Sequence, residues 1–109
     1  MVSVVIPLYN AKETILRTMN SVLQQTYIDP IEIIVVNDGS IDGCETLINK
    51  IIAQNETNRI IKLFNKKNGG AASARNVGIS ESSSEWIAFL DADDTWDNNK
   101  LVRQFEIIN

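Results

Sequence analysis

Three carboxylates crowd the stretch WIAFLDADDTW, residues 86–96: Asp91, Asp93 and Asp94. Like charges this close repel one another, and carboxylate oxygens suit a hard cation such as Mg²⁺ or Mn²⁺. A cation held by one or two of them and completed by the phosphates of a ligand would relieve the repulsion. It would also let an acidic chain hold an anionic nucleotide. The plainer reading is a helix start, for which Asp94 or Asp97 is suited. Asp91 and Asp93, one residue apart behind the apolar run WIAFL, fit the metal reading better.

Other stretches carry chemistry of the same kind. In VVNDGSIDG, residues 35–43, the residue types suit a turn. Asp38 at the end of a buried strand would also accept hydrogen bonds from a ligand, for instance from the N–H of a pyrimidine, with Gly39 allowing close backbone approach. In NKKNGGAASARNVGI, residues 65–79, Gly69-Gly70 precedes a run of small residues. That pattern suits either a loop before a tightly packed helix or a helix N-terminus that offers amides to an anion. No Gly-Lys-Ser/Thr follows, which excludes a Walker A loop, and the glycines come too late in the chain for the dinucleotide fingerprint. Arg75, between Ala74 and Asn76, reads by itself as a solvated helix arginine. Tyr9 suits either packing at a sheet edge or a flat surface for a base. Trp86 and Trp96 read as core or boundary residues. Cys44 falls in the first turn of a helix, where thiolates are favoured, but lacks a base partner and reads as a packing residue.

The elements that must position these residues alternate in type. VSVVIPL (2–8), IEIIVVN (31–37), IIKLFN (60–65) and WIAFL (86–90) are short, apolar and rich in β-branched residues, as suits strands of a parallel sheet buried on both faces. Between the first three, Ile15, Met19, Val22 and Leu23, then Leu47, Ile48, Ile51 and Ile52, recur at helical spacing. Asn10 with Glu13 resembles a capping box, and Asp42 with Glu45 an acidic variant of one. A third helix is expected over about 71–79 and a fourth from about residue 98 onward. The order β-α-β-α-β-α-β-α predicts an α/β fold: an open, mainly parallel, Rossmann-like sheet with flanking helices. All the loops after strands then open on one edge, where ligands of such sheets bind.

The bulk properties narrow the classes. A chain of 109 residues, 44% hydrophobic and 22% charged, has the material for one domain with a core. Its net charge of -4 removes the basic footprint of a nucleic-acid binder, and the lack of histidine removes histidine ligands and bases. The single cysteine forms no internal disulfide and fits a reducing compartment. Met1 runs straight into a strand-like segment without a basic leader region, and no apolar run approaches the ~20 residues of a membrane span. The sequon Asn55-Glu56-Thr57 reads as chance.

Taken in order, SVVIPLYN, IIVVNDGSIDG, NGGAASARNVGI and WIAFLDADD resemble the family 2 glycosyltransferases of the GT-A fold, and the match covers essentially the whole chain. The resemblance implies an inverting transferase of polysaccharide biosynthesis that uses a nucleotide-sugar, most often a UDP-sugar, with Mg²⁺ or Mn²⁺. It implies a saccharide or lipid-linked acceptor, and a cytoplasmic location, at most peripheral to the inner face of the membrane. It places Pro7, Tyr9, Asp38, Gly39, Arg75, Asp91 and Asp93 at the nucleotide-sugar. Tyr9 would lie against uracil, Asp38 would bond the base, and Arg75 would contact the nucleotide. Asp91-Ala92-Asp93 would be the D-x-D motif, with Asp93 the metal ligand and Asp91 its support.

The general base of the family lies well downstream of that motif. No catalytic residue is therefore assigned here, and residues 1–109 are expected to be a donor-binding half whose acceptor-binding half is absent. A sheet edge left open in such a half favours self-association into a homo-oligomer. A non-catalytic nucleotide-binding module stays open as an alternative, as does an α/β fold with no nucleotide site. A sugar-phosphate nucleotidyltransferase is disfavoured, because IPLYNAKETI has neither glycine nor arginine.

Overall fold

In the computed structural model, which describes residues 1–108, four strands and four helices alternate in the expected order. The strands β1 (Val2–Leu8), β2 (Ile31–Asp38), β3 (Ile60–Lys66) and β4 (Trp86–Phe89) pair in parallel, in the spatial order β3-β2-β1-β4. The helices α1 (Ile15–Leu23), α2 (Cys44–Gln54), α3 (Ala71–Glu81) and α4 (Lys100–Ile108) flank the sheet.

The parity of strand residues divides the core into two layers, since successive side chains point to opposite faces. Val4, Ile6, Leu8, Ile33 and Val35 pack with Ile15, Met19 and Val22 of α1, Cys44, Ile48 and Ile51 of α2, and Leu101 of α4. Val5, Ile34 and Val36 pack on the other face with Ala74 of α3. The small residues of α3 allow that helix to lie close to the sheet: a methyl group at Gly78 would overlap the side chain of Val5.

The outer strands depart from the expectation of burial on both faces. β1 and β2 are buried almost throughout, whereas β3 and β4 are only partly covered. Each outer strand has a neighbour on one side only, so Ile60, Trp86 and Phe89 keep about half their surface in solvent. Trp86 lies edge-on to Phe105 of α4 at 5.8 Å, a boundary position as expected. Trp96 is half-buried under the Lys100 ammonium, 5.7 Å from the ring centre.

Both expected capping boxes are replaced by cross-loop bonds. Asn10 lies at φ 49°, four residues before Thr14, the N-cap of α1. Its Oδ1 accepts from the Ile41 amide at 2.8 Å and its own amide donates to Ser40 Oγ at 3.0 Å. At α2 the N-cap is Gly43, and the Asp42 carboxylate bridges the Cys44 and Lys12 amides at 3.1 and 3.0 Å. Glu45 instead accepts from Asn65 at 3.2 Å. For Asn10 and Glu45 a partner about twenty or thirty residues away prevails over the local motif, while Asp42 serves a local and a distant amide together. Asn55 and Thr57 of the sequon likewise form a turn, with the Asn55 amide group donating to the Arg59 carbonyl at 2.9 Å.

At the strand-start edge, Glu32 is buried inside an apolar run. It accepts from Ser3 Oγ (2.9 Å), Lys62 Nζ (2.9 Å), the Ser83 amide (3.0 Å) and Ser83 Oγ (3.1 Å). Burial alone would raise its pKa; these four bonds outweigh burial and bring it to about 2. The carboxylate thus ties the loop after α3 to β2.

The strand order also locates a switch. The chain steps outward from β1 to β2 to β3, then returns to set β4 on the other side of β1. In open α/β sheets the crevice beyond the carboxyl ends of the strands at such a switch is the ligand position.

Candidate functional site

Two clefts lie at that crevice and share a wall. One, of about 380 Å³, is lined by residues that include Pro7, Tyr9, Asp38, Asn68, Gly70 and Asp91. The other, of about 590 Å³, includes Pro7, Tyr9, Lys12, Asp42 and Asp93. Pro7, Tyr9 and Ala92 line both, so the ends of β1 and β4 form the ridge between them. Tyr9 is 54% exposed, which leaves its ring available as a stacking surface. Of the residues expected at the site, Pro7, Tyr9, Asp38, Asp91 and Asp93 line one cleft or both. Arg75 and Gly39 do not line either, but each touches a residue that does.

Asp38 is nearly buried, and its carboxylate is already engaged. Oδ1 accepts from Lys66 Nζ at 2.7 Å and the Gly69 amide at 2.9 Å, and Oδ2 from the Gly70 amide at 2.9 Å. The anion at the N-terminus of α3 is therefore Asp38 itself, where a ligand anion was one expectation for the Gly69-Gly70 amides. Burial would raise the Asp38 pKa; the Lys66 ammonium and the two amides outweigh it and hold the group below the usual carboxylate range. Oδ2 carries one bond and keeps acceptor capacity for a ligand donor.

Gly39 has φ 74°, and a Cβ there would come within 2.8 Å of the Asn68 nitrogen. The close approach that Gly39 permits is thus made by the 66–70 loop. Asn37 completes the support: it donates to Asn65 Oδ1 at 3.0 Å and accepts from the Ser40 amide at 3.1 Å. The only trace of this support in the sequence is that the runs 31–37 and 60–65 both end in asparagine; their pairing comes from the strand register.

Asp91 and Asp93 are exposed, and among the described residues their carboxylates accept no internal hydrogen bond. The nearest cation to Asp91 is Arg75, with Nη2 to Oδ1 at 3.9 Å and both side chains well exposed. Among the described residues no three histidine, cysteine, aspartate or glutamate side chains cluster as a closed metal cage. Two open carboxylates with a shell left for phosphate oxygens and water match how Mg²⁺ is usually held, and the donor set suits Mn²⁺ as well. Cys44 is fully buried, and burial, with Asp42 beside it, raises its pKa, which fits a packing role.

The family profile described as glycosyl transferase family 2 matches residues 3–109. The chain belongs to glycosyl transferase family 2. Among relatives, it is 44% identical over 107 residues to an uncharacterized glycosyltransferase of Rickettsia bellii, covering 98% of this chain and 15% of that protein. It is 42% identical over 108 residues to the Escherichia coli UDP-Glc:alpha-D-GlcNAc-diphosphoundecaprenol beta-1,3-glucosyltransferase WfaP, covering 99% of this chain and 41% of WfaP. Among solved structures, it superposes on Staphylococcus aureus TarS in complex with UDP-GlcNAc with a TM-score of 0.83 and 28% identity, covering 98% of this chain and 30% of that one. The family 2 chain thus spans less than half the length of these relatives, and its α/β sheet is that of a GT-A glycosyltransferase.

Proposed function

We propose that residues 1–109 form the donor-binding half of an inverting glycosyltransferase that takes a UDP-sugar with Mg²⁺ or Mn²⁺. The observation that carries this reading is the convergence of Tyr9, Asp38, Gly70 and Asp91 on one cleft at the switch between β1 and β4. The UDP-glucose in the name of WfaP and the UDP-GlcNAc in the TarS complex support the choice of nucleotide.

Each residue then has a task its surroundings permit. The exposed ring of Tyr9 stacks on uracil. The free acceptor capacity of Asp38 Oδ2 takes the base N–H, while its other bonds hold it still. Arg75, in a long and exposed pair with Asp91, exchanges that partner for the nucleotide at little cost. Asp91 and Asp93 would hold the divalent cation, with Asp93 the direct ligand. When bound, the cation supplies neutralisation of the charge that builds on the leaving diphosphate.

The base that deprotonates the acceptor hydroxyl is an aspartate or glutamate outside these residues. Asp97 is a poor substitute, since its Oδ1 accepts from the Asn99 amide at 2.9 Å and pairs with Arg103 at 3.7 Å. The acceptor is a saccharide or lipid-linked sugar, in line with the diphosphoundecaprenol substrate named for WfaP. Work on such an acceptor would suit a cytoplasmic protein peripheral to the inner face of the membrane. No described helix is long and apolar enough to cross a membrane.

Calorimetric titration of UDP with and without Mn²⁺ tests the reading. The wild-type chain binds UDP more tightly with Mn²⁺; Asp93→Ala loses that gain, and Asp38→Ala loses affinity in both conditions. Equal heats in all cases, or none from a folded sample, would remove the site assignment.

A further inference from the structure

Between β4 and α4 the chain forms no strand or helix, and this strap, residues 90–99, carries Asp91 and Asp93. Its backbone is held by one polar face of α1 and the turns that flank it. The hydroxyls of Thr14 and Thr18 both donate to the Ala92 carbonyl, at 2.8 and 2.9 Å. Ser21 Oγ accepts from the Trp96 amide at 3.1 Å. Gln25 donates to the Asp97 carbonyl at 2.6 Å and accepts from the Leu101 amide at 3.1 Å. Positions 14, 18, 21 and 25 share one helical face, and their partners advance in step from 92 to 96 to 97 and 101.

A helical threonine ordinarily returns its hydroxyl proton to a carbonyl one turn back. Here each hydroxyl has one proton, and the nearer acceptor is across the gap. Thr14 is 2.8 Å from the Ala92 oxygen against 3.3 Å from that of Ala11, and Thr18 is 2.9 Å against 3.2 Å from that of Thr14. Thr18 is fully buried and Ala92 nearly so, which keeps water from competing for the bond. The peptide between Ala92 and Asp93 is one planar unit. Holding its oxygen at two points fixes ψ of Ala92 and φ of Asp93, and hence the direction in which Asp93 leaves the strap.

We propose that Thr14 and Thr18 are positioning residues for the acidic pair: they clamp the Ala92 carbonyl, on the ridge between the two clefts, and so fix the directions in which Asp91 and Asp93 leave the strap on either side of it. This rests on the reading that those acids hold the cation of a nucleoside diphosphate. Nothing in the residue types 14 and 18 announces the role, because the partner lies over seventy residues away.

Two measurements test the clamp separately from that reading. The first is amide hydrogen exchange in the free protein at Asp94, whose N–H closes a turn onto the Asp91 carbonyl at 3.0 Å. Thr18→Val, which keeps the shape and removes the hydroxyl, speeds exchange there about fivefold, the worth of one hydrogen bond. Amides of β2 keep their protection, and Thr18→Ser restores the wild-type rate. The second is titration with UDP with and without Mn²⁺. Thr18→Val reduces the Mn²⁺-dependent gain in affinity about fivefold and leaves metal-free UDP affinity unchanged, and Thr14→Val/Thr18→Val reduces the gain further.

Wild-type exchange at Asp94 in the double variant would overturn the clamp, as would equal acceleration at every amide. An unaltered Mn²⁺ gain in the double variant would overturn the positioning role. If the wild-type chain shows no Mn²⁺ gain at all, the donor reading fails and the positioning role falls with it, while the exchange result still decides whether the threonines hold the strap.

Discussion

Among single residues, the carboxylates divide by surroundings rather than by type. Asp91 and Asp93 are open to solvent, and among the described residues their carboxylates accept no hydrogen bond, which suits the proposed cation. Asp38 and Glu32 are buried and each accepts from several donors. The second pair stabilises the fold in a pH-dependent way. The folded-state pKa of Glu32 is depressed from 4.5 to about 2, so the unfolded chain binds the proton more tightly. Its contribution is complete above about pH 4.5 and is lost as pH falls through 2. A shift of this size corresponds to roughly 3 kcal/mol. Asp38 and Asp42, also lowered, act in the same direction. Denaturant unfolding across that acid range should show wild-type stability falling steeply, and Glu32→Gln, less stable at pH 7, following a flatter curve. Parallel curves for the two proteins would contradict this assignment.

The helices and strands differ in how far the sequence discloses them. The strands are legible because β1 and β2 are covered by helices on both faces, so apart from Ser3 and Glu32 their central residues form apolar runs. The helix starts are less so. Asn10 has the residue type of a cap but spends its side chain on a loop brought beside it by the parallel sheet, and Asp42 divides its carboxylate between the Cys44 amide at the start of α2 and the distant Lys12 amide. The Gly69-Gly70 turn was legible as a donor of amides, but its acceptor, Asp38, lies 31 and 32 residues away. Glu32 was hidden for the same reason, since its partners come from strand register and from a loop 51 residues on. In α3 the informative residue is Gly78, which fits only because it has no side chain against Val5, buried, short and stiff. Gly78→Ala should therefore lower unfolding free energy by ~1–3 kcal/mol through overpacking, despite the better helix propensity of alanine. A more stable variant in denaturant unfolding would show that α3 has room to shift outward.

For the whole molecule, the sheet order gathers the functional types from four separate stretches to one edge and leaves Glu32 and Arg59 at the other. A net charge of -4 would oppose the proposed anionic donor, and a divalent cation at Asp91 and Asp93 would reconcile the two. The chain spans 41% of the length of WfaP. The most direct test of the donor site is paramagnetic broadening of backbone amide signals by substoichiometric Mn²⁺ with UDP present. Signals of residues 91–94 should broaden first, followed by those of Tyr9 and Gly70, while Glu32 and Arg59 stay sharp. Broadening centred on any other carboxylates, or the same pattern with Asp93→Ala, would contradict the account.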